Sequence, residues 1–320
     1  MKNLARAALT FTAIGLAIYA CVYFAAERLV QRTAHANPIH KIEVAGDGEF
    51  DWVILGASHA MPLDFADFNA RLGKETGLRI INLAALGTGP LYQRFVFEEF
   101  LRRHGARNVL YAADSFAFYS RLWNEDRFAD AKLVRRTPFD PDVARSMWGY
   151  SRTEGVDPRA VLDYASGFSK INNRERFERD VWEGEAQFER VYRASSTATA
   201  KRIEYLYPGP PSPKDLQRYL DELGHLIDTA RAAGMNVVVI KMPVPPAYLS
   251  RLPSEDAFDA ALARMLAPRG IALRDFSASI PEERFYFDTD HLNRAGVSRF
   301  VERDLKAILS PRSPAVHGRP

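Results

Sequence analysis

Short apolar runs alternate with stretches of helical periodicity along most of the chain. The apolar runs predict strands, and apolar positions at helical spacing predict a helix after each strand. The predicted strands are residues 52–55, 79–83, 108–112, 236–240 and 271–273, and the main predicted helices are 65–75, 91–103, 213–234, 254–266 and about 293–309. Such alternation is typical of an α/β fold with a parallel sheet and helices on both of its faces.

The helix predicted after Ser212 has the clearest start signal. Ser212 is a typical N-cap residue, Pro213 suits the first helical position, and the acid Asp215 stands three residues after the cap. β-branched residues then fill positions 236–240, which predicts a strand that is buried on both faces.

Between residues 116 and 212 the alternation stops. Apolar positions between Phe177 and Tyr192 predict one amphipathic helix. We expect a helical insertion over 116–212 and a disordered tail over 310–320. Aromatic residues near the start of this insertion serve either as its core or as a roof that stacks on sugar rings: Phe116, Phe118, Tyr119, Trp123 and Trp148.

Residues 1–36 are expected to form an N-terminal membrane anchor. Residues 7–26 carry no charged side chain, and about 20 such residues cross a bilayer as a helix. Lys2 and Arg6 precede this segment, so the positive-inside rule favours a cytoplasmic N-terminus. The predicted location is therefore the inner (cytoplasmic) membrane, with a single pass and with the folded domain, residues 37–309, in the periplasm.

Three alternatives to an uncleaved anchor stay open at this point. A signal peptide would be cleaved near the small residues Ala34 and Ala36, which lie rather far beyond the apolar run. Cys21 resembles a lipoprotein cysteine, but the apolar run continues past it. The third alternative is a buried helix of a soluble protein.

Net charge and cysteine content narrow the possible partners and sites. The net charge is +3, from 43 Lys and Arg against 40 Asp and Glu, and this balance gives no support for a nucleic-acid partner. The single cysteine, Cys21, excludes an internal disulfide framework and a cysteine-rich metal site.

The first candidate for chemistry is Ser58. The apolar run 52–55 ends in Gly56-Ala57-Ser58, which predicts a buried strand that delivers a serine hydroxyl to the edge of the sheet. A serine hydroxyl needs a base to take its proton and a third group to orient that base. Without such partners, Ser58 is better explained as a turn residue or a helix cap.

The candidate partners lie near the other end of the chain. Asp288 and His291 stand three residues apart, so that one loop can carry both carboxylate and imidazole. Asp290 is an alternative orienting acid, or a cap for the last helix. His59, next to Ser58, is expected to be a packing or substrate contact rather than the base.

These segments resemble the SGNH (GDSL-type) hydrolase superfamily. Three motifs account for the resemblance: the Gly-x-Ser turn at Ser58, the Asp-x-x-His of Asp288 and His291, and Asn82 followed five residues later by Gly87. The resemblance implies a flavodoxin-like three-layer sandwich, a catalytic triad of these three residues, and an oxyanion hole formed by the N–H groups of Ser58 and Gly87. It implies no cofactor.

The third motif departs from the family pattern. After the strand 108–112 the chain has Asp114-Ser115-Phe116, where the family usually has Gly-x-Asn-Asp. The missing asparagine removes one oxyanion donor, a loss that costs roughly two to three powers of ten in rate. His59, Asn82 and Asp114 are candidates for substrate binding.

A membrane-tethered domain of this kind resembles proteins that O-acylate surface glycans. The resemblance implies a serine O-acyltransferase or esterase whose substrates are an acyl donor and an acylated glycan, with a membrane-bound O-acyltransferase as partner. The alternative from another class is a non-catalytic, membrane-anchored scaffold that binds a glycan or a partner protein. A metal site formed by Asp114, Asp288, Asp290 and His291 is a weaker alternative, and we expect no metal.

Overall fold

The computed structural model describes residues 2–175, 177–178 and 182–310. Its strands are β1 (Phe50–Gly56), β2 (Ile80–Asn82), β3 (Ala106–Ala112), β4 (Asn236–Lys241) and β5 (Leu273–Asp275). Its α-helices are α1 (Lys2–Thr33), α2 (Pro38–Val44), α3 (Phe68–Thr76), α4 (Pro90–Arg103), α5 (Ala131–Val134), α6 (Pro141–Thr153), α7 (Pro158–Ser166), α8 (Phe168–Ile171), α9 (Glu183–Ala186), α10 (Ser196–Leu206), α11 (Pro213–Ala232), α12 (Pro246–Leu249), α13 (Glu255–Leu266), α14 (Arg294–Phe300) and α15 (Lys306–Leu309). Short 3-10 helices are Ser58–Asp67, Ser115–Phe118, Arg121–Trp123, Glu125–Ala129, Ala267–Arg269 and Glu283–Phe285, and a π-helical turn, Val301–Leu305, joins α14 to α15.

The chain divides into two compact units. One is formed by Met1–Ala45 and Glu125–Val181, and the other by Gly46–Asn124 and Trp182–Pro320. The first unit is helical and the second contains the sheet. The expected insertion, residues 116–212, contributes to both units, and the expected tail lies almost wholly outside the described residues.

The sheet has five parallel strands in the order β2-β1-β3-β4-β5. This is the flavodoxin-like, doubly wound order, in which the chain leaves β1 in one direction and returns to add β3 on its other side. The α/β class and the parallel sheet predicted from the alternation are thus confirmed.

Helices cover both faces of the sheet. On one face, Trp52 and Ile54 of β1 belong to a buried cluster with Leu72 of α3 and Phe300 of α14. On the other side α4 packs on α11, and these helices contact β1 and β4 respectively. Because strand side chains alternate, β1 is buried on both faces, and the apolar run that predicted it follows from this burial.

Element boundaries differ from the predictions where the chain bends. The helix predicted from residue 65 starts at Phe68, because Ala66 and Asp67 adopt positive φ and separate it from the 3-10 helix that follows β1. The last strand is shifted to Leu273–Asp275. Of the helix predicted between Phe177 and Tyr192, the described residues contain only the single turn α9, and residues 179–181 lie outside the description.

Gly56 of β1 lies directly against Ala112 of β3. This residue has φ of +145°, and a Cβ added to it would lie 2.8 Å from the carbonyl oxygen of Ala112. Both the dihedral and the contact therefore require glycine. The approach is made by backbone atoms, which cannot move aside as a flexible side chain can.

We predict that Gly56→Ala destabilises the sheet unit by at least about 2 kcal/mol, since it adds backbone strain and a clash with Ala112. The thermal midpoint of the full chain in detergent measures the effect. Gly105→Ala is the matched control, because its Cβ would meet nothing within 4 Å; we expect its effect to stay within about 0.5 kcal/mol. Equal midpoints for the two variants would contradict the prediction.

Candidate active site

Ser58 follows β1 at the carboxyl edge of the sheet. Ala57 is extended and a 3-10 helix starts at Ser58. The serine therefore lies at the point where the strand order reverses between β1 and β3, and doubly wound sheets carry their sites at this point. The Ser58 side chain is almost fully buried.

Ser58, His291 and Asp288 form one hydrogen-bonded row. Ser58 Oγ lies 2.9 Å from His291 Nε2, and His291 Nδ1 lies 3.0 Å from both carboxylate oxygens of Asp288. Since a carboxylate only accepts hydrogen bonds, Nδ1–H donates to Asp288 and Nε2 accepts from the Ser58 hydroxyl. An imidazole in this tautomer can take the serine proton.

One short loop holds the carboxylate and the imidazole together. Asp288 Oδ1 accepts the backbone N–H groups of Asp290 and His291, at 3.0 and 2.8 Å. The Asn293 side chain accepts the N–H of Gly296, so Asn293 rather than Asp290 caps the last helix. The Asp290 carboxylate is left for other contacts.

Aromatic rings surround the His291 imidazole. Phe287 stacks on it with ring centroids 5.6 Å apart, and Trp182 stands edge-on at 4.8 Å. Trp182 also contacts Phe65, which lies in the 3-10 helix that starts at Ser58. The sequence analysis missed Trp182, because a tryptophan inside an irregular insertion carries no local signal of its neighbours.

The two predicted oxyanion donors lie in neighbouring loops. Ala85 N–H, in the loop that carries Gly87, donates to the carbonyl oxygen of Gly56 at the end of β1. In the described part of the chain, the backbone N–H groups of Ser58 and Gly87 have no protein acceptor. Both N–H groups therefore remain candidates for the oxyanion hole.

Asn82 ties the same loops together. Its side chain donates to the carbonyl oxygen of Ala60 and accepts the N–H of Ala84, at 2.9 and 3.0 Å. Asn82 therefore links the end of β2 to the 3-10 helix of the serine. These contacts give the buried side chain a positioning role, whereas the sequence analysis expected a substrate contact.

His59 is buried between two carboxylates. Its Nδ1 lies 2.6 Å from Asp114 Oδ1 and its Nε2 lies 3.2 Å from Asp290 Oδ2. Burial alone would lower the pKa of His59, but the two carboxylates outweigh it and raise the pKa to about 10. With both nitrogens donating as an imidazolium, His59 contacts these acids rather than an open surface.

Asp290 is the centre of this second network. Arg202 Nε and Nη2 each lie 2.9 Å from Asp290 Oδ2, and Asp290 Oδ1 lies 3.4 Å from His291 Nδ1. Burial would raise the pKa of Asp290, but His291, Arg202 and His59 hold it well below its ordinary value. Asp290 therefore stays ionised behind His291, while Asp288 makes the shorter contact with the imidazole. Arg202 was not singled out from the sequence.

Three of these residues could in principle hold a metal ion. One ligand atom each from His59, Asp290 and His291 lie within 4.8 Å of one another. Arg202 occupies the same Asp290 oxygen that faces His59, and its positive charge opposes a cation there. The donor set therefore fits a charge-paired hydrogen-bond network better than a metal centre.

Asp114 borders a cavity next to the site. This cavity of about 20 Å³ is lined by His59, Asp114, Lys241, Tyr248 and Glu255, among others. Asp114 Oδ2 is buried and, in the part of the chain that the structure describes, has no hydrogen-bond partner. The substrate-binding role of Asp114 stays a prediction.

Comparisons with solved structures give distant likenesses, among them the following two. A presumed acylhydrolase from Bacteroides fragilis matches with 10% identity and a TM-score of 0.41, over 85% of this chain and 95% of that one. A GDSL-like lipase from Bacteroides thetaiotaomicron matches with 9% identity and a TM-score of 0.44, over 86% and 97%. No family model and no curated protein matches the sequence. The likenesses are too distant to support a function, which the geometry of the chain itself has to support.

We predict that Asp290→Asn destabilises the sheet unit by roughly 3–5 kcal/mol, because it leaves buried positive charge at His59 and Arg202 without its partner. The shift of the thermal unfolding midpoint of the full chain measures this loss. Glu302→Gln is the control, since Glu302 forms an exposed ion pair with Lys306 and should cost less than about 1 kcal/mol. A shift for Asp290→Asn as small as that of the control would contradict the buried network.

We also predict a pH dependence that belongs to His59. Its folded pKa of about 10 lies above the ordinary value of 6.5, so its charge stabilises the fold fully below about pH 6.5. This contribution declines as the pH rises and is lost above about pH 10. The difference in midpoint between the wild type and His59→Gln should therefore shrink from pH 6 towards pH 10. A difference that is constant over this range would contradict a charged His59.

Proposed function

We propose that the chain is a membrane-anchored, SGNH-like serine esterase or O-acyltransferase that acts on acyl groups of exported glycans. The observation that carries the proposal is the contact of Ser58 Oγ with His291 Nε2 at 2.9 Å, with Asp288 on the opposite nitrogen. A hydroxyl, a base and an orienting acid in this order form the set that acyl transfer needs.

In the first half-reaction Ser58 Oγ attacks the carbonyl carbon of the acyl donor. His291 Nε2 takes the hydroxyl proton, and Asp288 holds the resulting imidazolium. The N–H groups of Ser58 and Gly87 donate to the negative oxygen of the tetrahedral intermediate. The intermediate then collapses, the leaving group takes the proton from His291, and an acyl ester of Ser58 remains.

In the second half-reaction the acyl group leaves Ser58. An acceptor hydroxyl gives its proton to His291 Nε2 and attacks the ester carbonyl, and Ser58 recovers its proton when the new ester is released. If the acceptor is water, the reaction is hydrolysis; if it is a sugar hydroxyl, the acyl group is transferred. The unpartnered oxygen of Asp114 supports a role in holding a hydroxyl of the glycan.

Substrate access is part of the proposal, because Ser58 is only 1% exposed. The segment 182–186 packs on the 3-10 helix of Ser58: the Trp182 ring contacts Phe65 and His291, and Glu185 accepts the N–H of Ala66. We therefore assign to this segment the movement that admits the acyl donor.

The anchor half of the proposal rests on α1. Within the described residues, α1 is the one helix that is long and apolar enough to cross a membrane or to act as a signal sequence. Its later turns are part of the helical unit, with Ala26 and Val30 buried and Glu27 paired to Lys170 at 2.7 Å. Cleavage near Ala34 would remove these contacts, which supports an uncleaved anchor.

Single-pass insertion in the inner membrane places the sheet unit in the periplasm by the positive-inside rule. The proposed substrates there are an acyl donor and a glycan, and the proposed partner is a membrane-bound O-acyltransferase that supplies the acyl group.

We predict that a fluorophosphonate probe labels the full chain once, on Ser58. Intact mass measures the labelling of the chain in detergent. Ser58→Ala and His291→Ala should abolish it, whereas Ser250→Ala and His225→Ala, at exposed positions, should leave it unchanged. If the folded wild-type chain is not labelled, the result would contradict the proposed enzyme and would favour the glycan-binding scaffold.

The labelling rate also separates the two candidate orienting acids. Asp288 lies 3.0 Å from His291 Nδ1 and Asp290 lies 3.4 Å from it. We predict that Asp288→Asn slows labelling by roughly three to four powers of ten, because the imidazole loses the correct tautomer. A larger loss for folded Asp290→Asn would assign the role to Asp290 instead. Product analysis with an acyl ester and an acceptor oligosaccharide then distinguishes hydrolysis from transfer.

A further inference from the structure

Within the helical unit, the segment that contains α7 and α8 contacts α1. The contact lies at residues 19–23, inside the apolar segment of α1. Tyr19 Oη donates to the carbonyl oxygen of Ser166 at 2.7 Å, and a Cβ added to Gly167 would lie 2.5 Å from the Tyr23 ring. The Tyr23 ring also meets Phe139, with centroids 6.1 Å apart. The corner between α7 and α8 therefore lies directly against α1.

The depth of these contacts follows from helix geometry. The apolar segment ends at Ala26, and a helix rises about 1.5 Å per residue. Tyr23 is therefore about 4–5 Å inside the end of the segment and Tyr19 about 10 Å inside it. A span of about 20 residues needs the whole of 7–26, so Tyr19 lies among the acyl chains and Tyr23 lies close to the level where lipid headgroups meet them. Tyrosine is enriched at this boundary.

Three apolar side chains of the helical unit are exposed near this contact. They are Phe139 (37% exposed), Leu162 (66%) and Phe168 (63%), and we call them the apolar collar. Phe139 contacts Tyr23, Phe168 follows Gly167, and Leu162 precedes Ser166 by one helical turn on α7. The collar therefore adds an exposed apolar surface next to the apolar segment of α1.

The backbone polar groups at the corner between α7 and α8 have hydrogen-bond partners within the protein. Gly167 N–H donates to the carbonyl oxygen of Asp163, and Ser169 N–H to the Asp163 carboxylate, both at 2.8 Å. The carbonyl oxygen of Phe168 accepts from the Asn172 side chain. Polar groups near hydrocarbon must find partners within the protein, and these contacts meet that need.

We propose that the apolar collar inserts into the outer boundary of the bilayer beside α1, so that the helical unit rests on the lipid as well as being tethered to it. Burial of apolar side chains at the boundary drives this contact. The inference depends on the anchor half of the proposed function and is independent of the chemistry at Ser58.

The test uses depth-dependent fluorescence quenching on the full chain in vesicles of phosphatidylethanolamine and phosphatidylglycerol. An NBD label is placed on Phe168→Cys, and separately on Leu162→Cys, in a Cys21→Ser background. The native Cys21, labelled in the unmodified chain, is the reference inside the membrane. Glu302→Cys, at an exposed acidic position of the sheet unit, is the reference in water.

We expect labels at 168 and 162 to show blue-shifted emission, quenching by lipid with a nitroxide near the headgroup, and several-fold weaker quenching by aqueous iodide than the label at 302. Iodide quenching equal to that at 302, while Cys21 remains lipid-quenched, would overturn the proposal. Protection from both quenchers would also overturn it and would indicate a protein contact. Absence of lipid quenching at Cys21 would remove its premise, whatever the outcome of fluorophosphonate labelling.

Discussion

A fully buried carboxylate requires positive charge around it, and Asp290 obtains this charge from two directions. Arg202 donates to it from α10, and His59 approaches it from the 3-10 helix that follows β1. Removing one partner of such a buried set costs several kcal/mol, much more than an exposed ion pair contributes. The loop that carries Asp288 and His291 is therefore held in place by charges that lie behind it.

This arrangement separates two tasks that acidic groups perform at the site. Asp290 is surrounded by donors and holds the elements together, whereas Asp288 is partly exposed and presents both oxygens to one imidazole nitrogen. Asp114, which follows β3, faces His59 and thereby joins the network around Asp290. The proposed oxyanion hole has backbone donors only, which suits a slower hydrolase or an enzyme that transfers acyl groups to a bound acceptor.

The helical unit shows a second instance of burial compensated by charge. Glu27, the first charged residue after the apolar segment of α1, pairs with Lys170, which is itself buried. α1 therefore contacts the α7–α8 segment at two levels. Glu27 and Lys170 form the polar contact, and Tyr19 and Tyr23 form the apolar one. A helix that served only as a tether would have no need of such contacts. They make α1 part of a folded unit.

The sequence by itself determined the strands of the sheet, the main helices between them and their order, because apolar periodicity records which side of each element is buried. The helices of the stretch 116–212 were not determined in this way. The sequence also placed Ser58 and His291 in loops at strand ends and put Asp288 within reach of His291, since three residues suffice for one tight loop. Only the tertiary structure decided which loops meet. Ser58 and His291 are 233 residues apart, and His59, Asp114, Arg202 and Asp290 come from four different segments. Trp182 came from an insertion in which no periodicity marked it. Such contacts depend on the order of strands in the sheet and on where the insertion folds back, and neither is encoded in a local pattern.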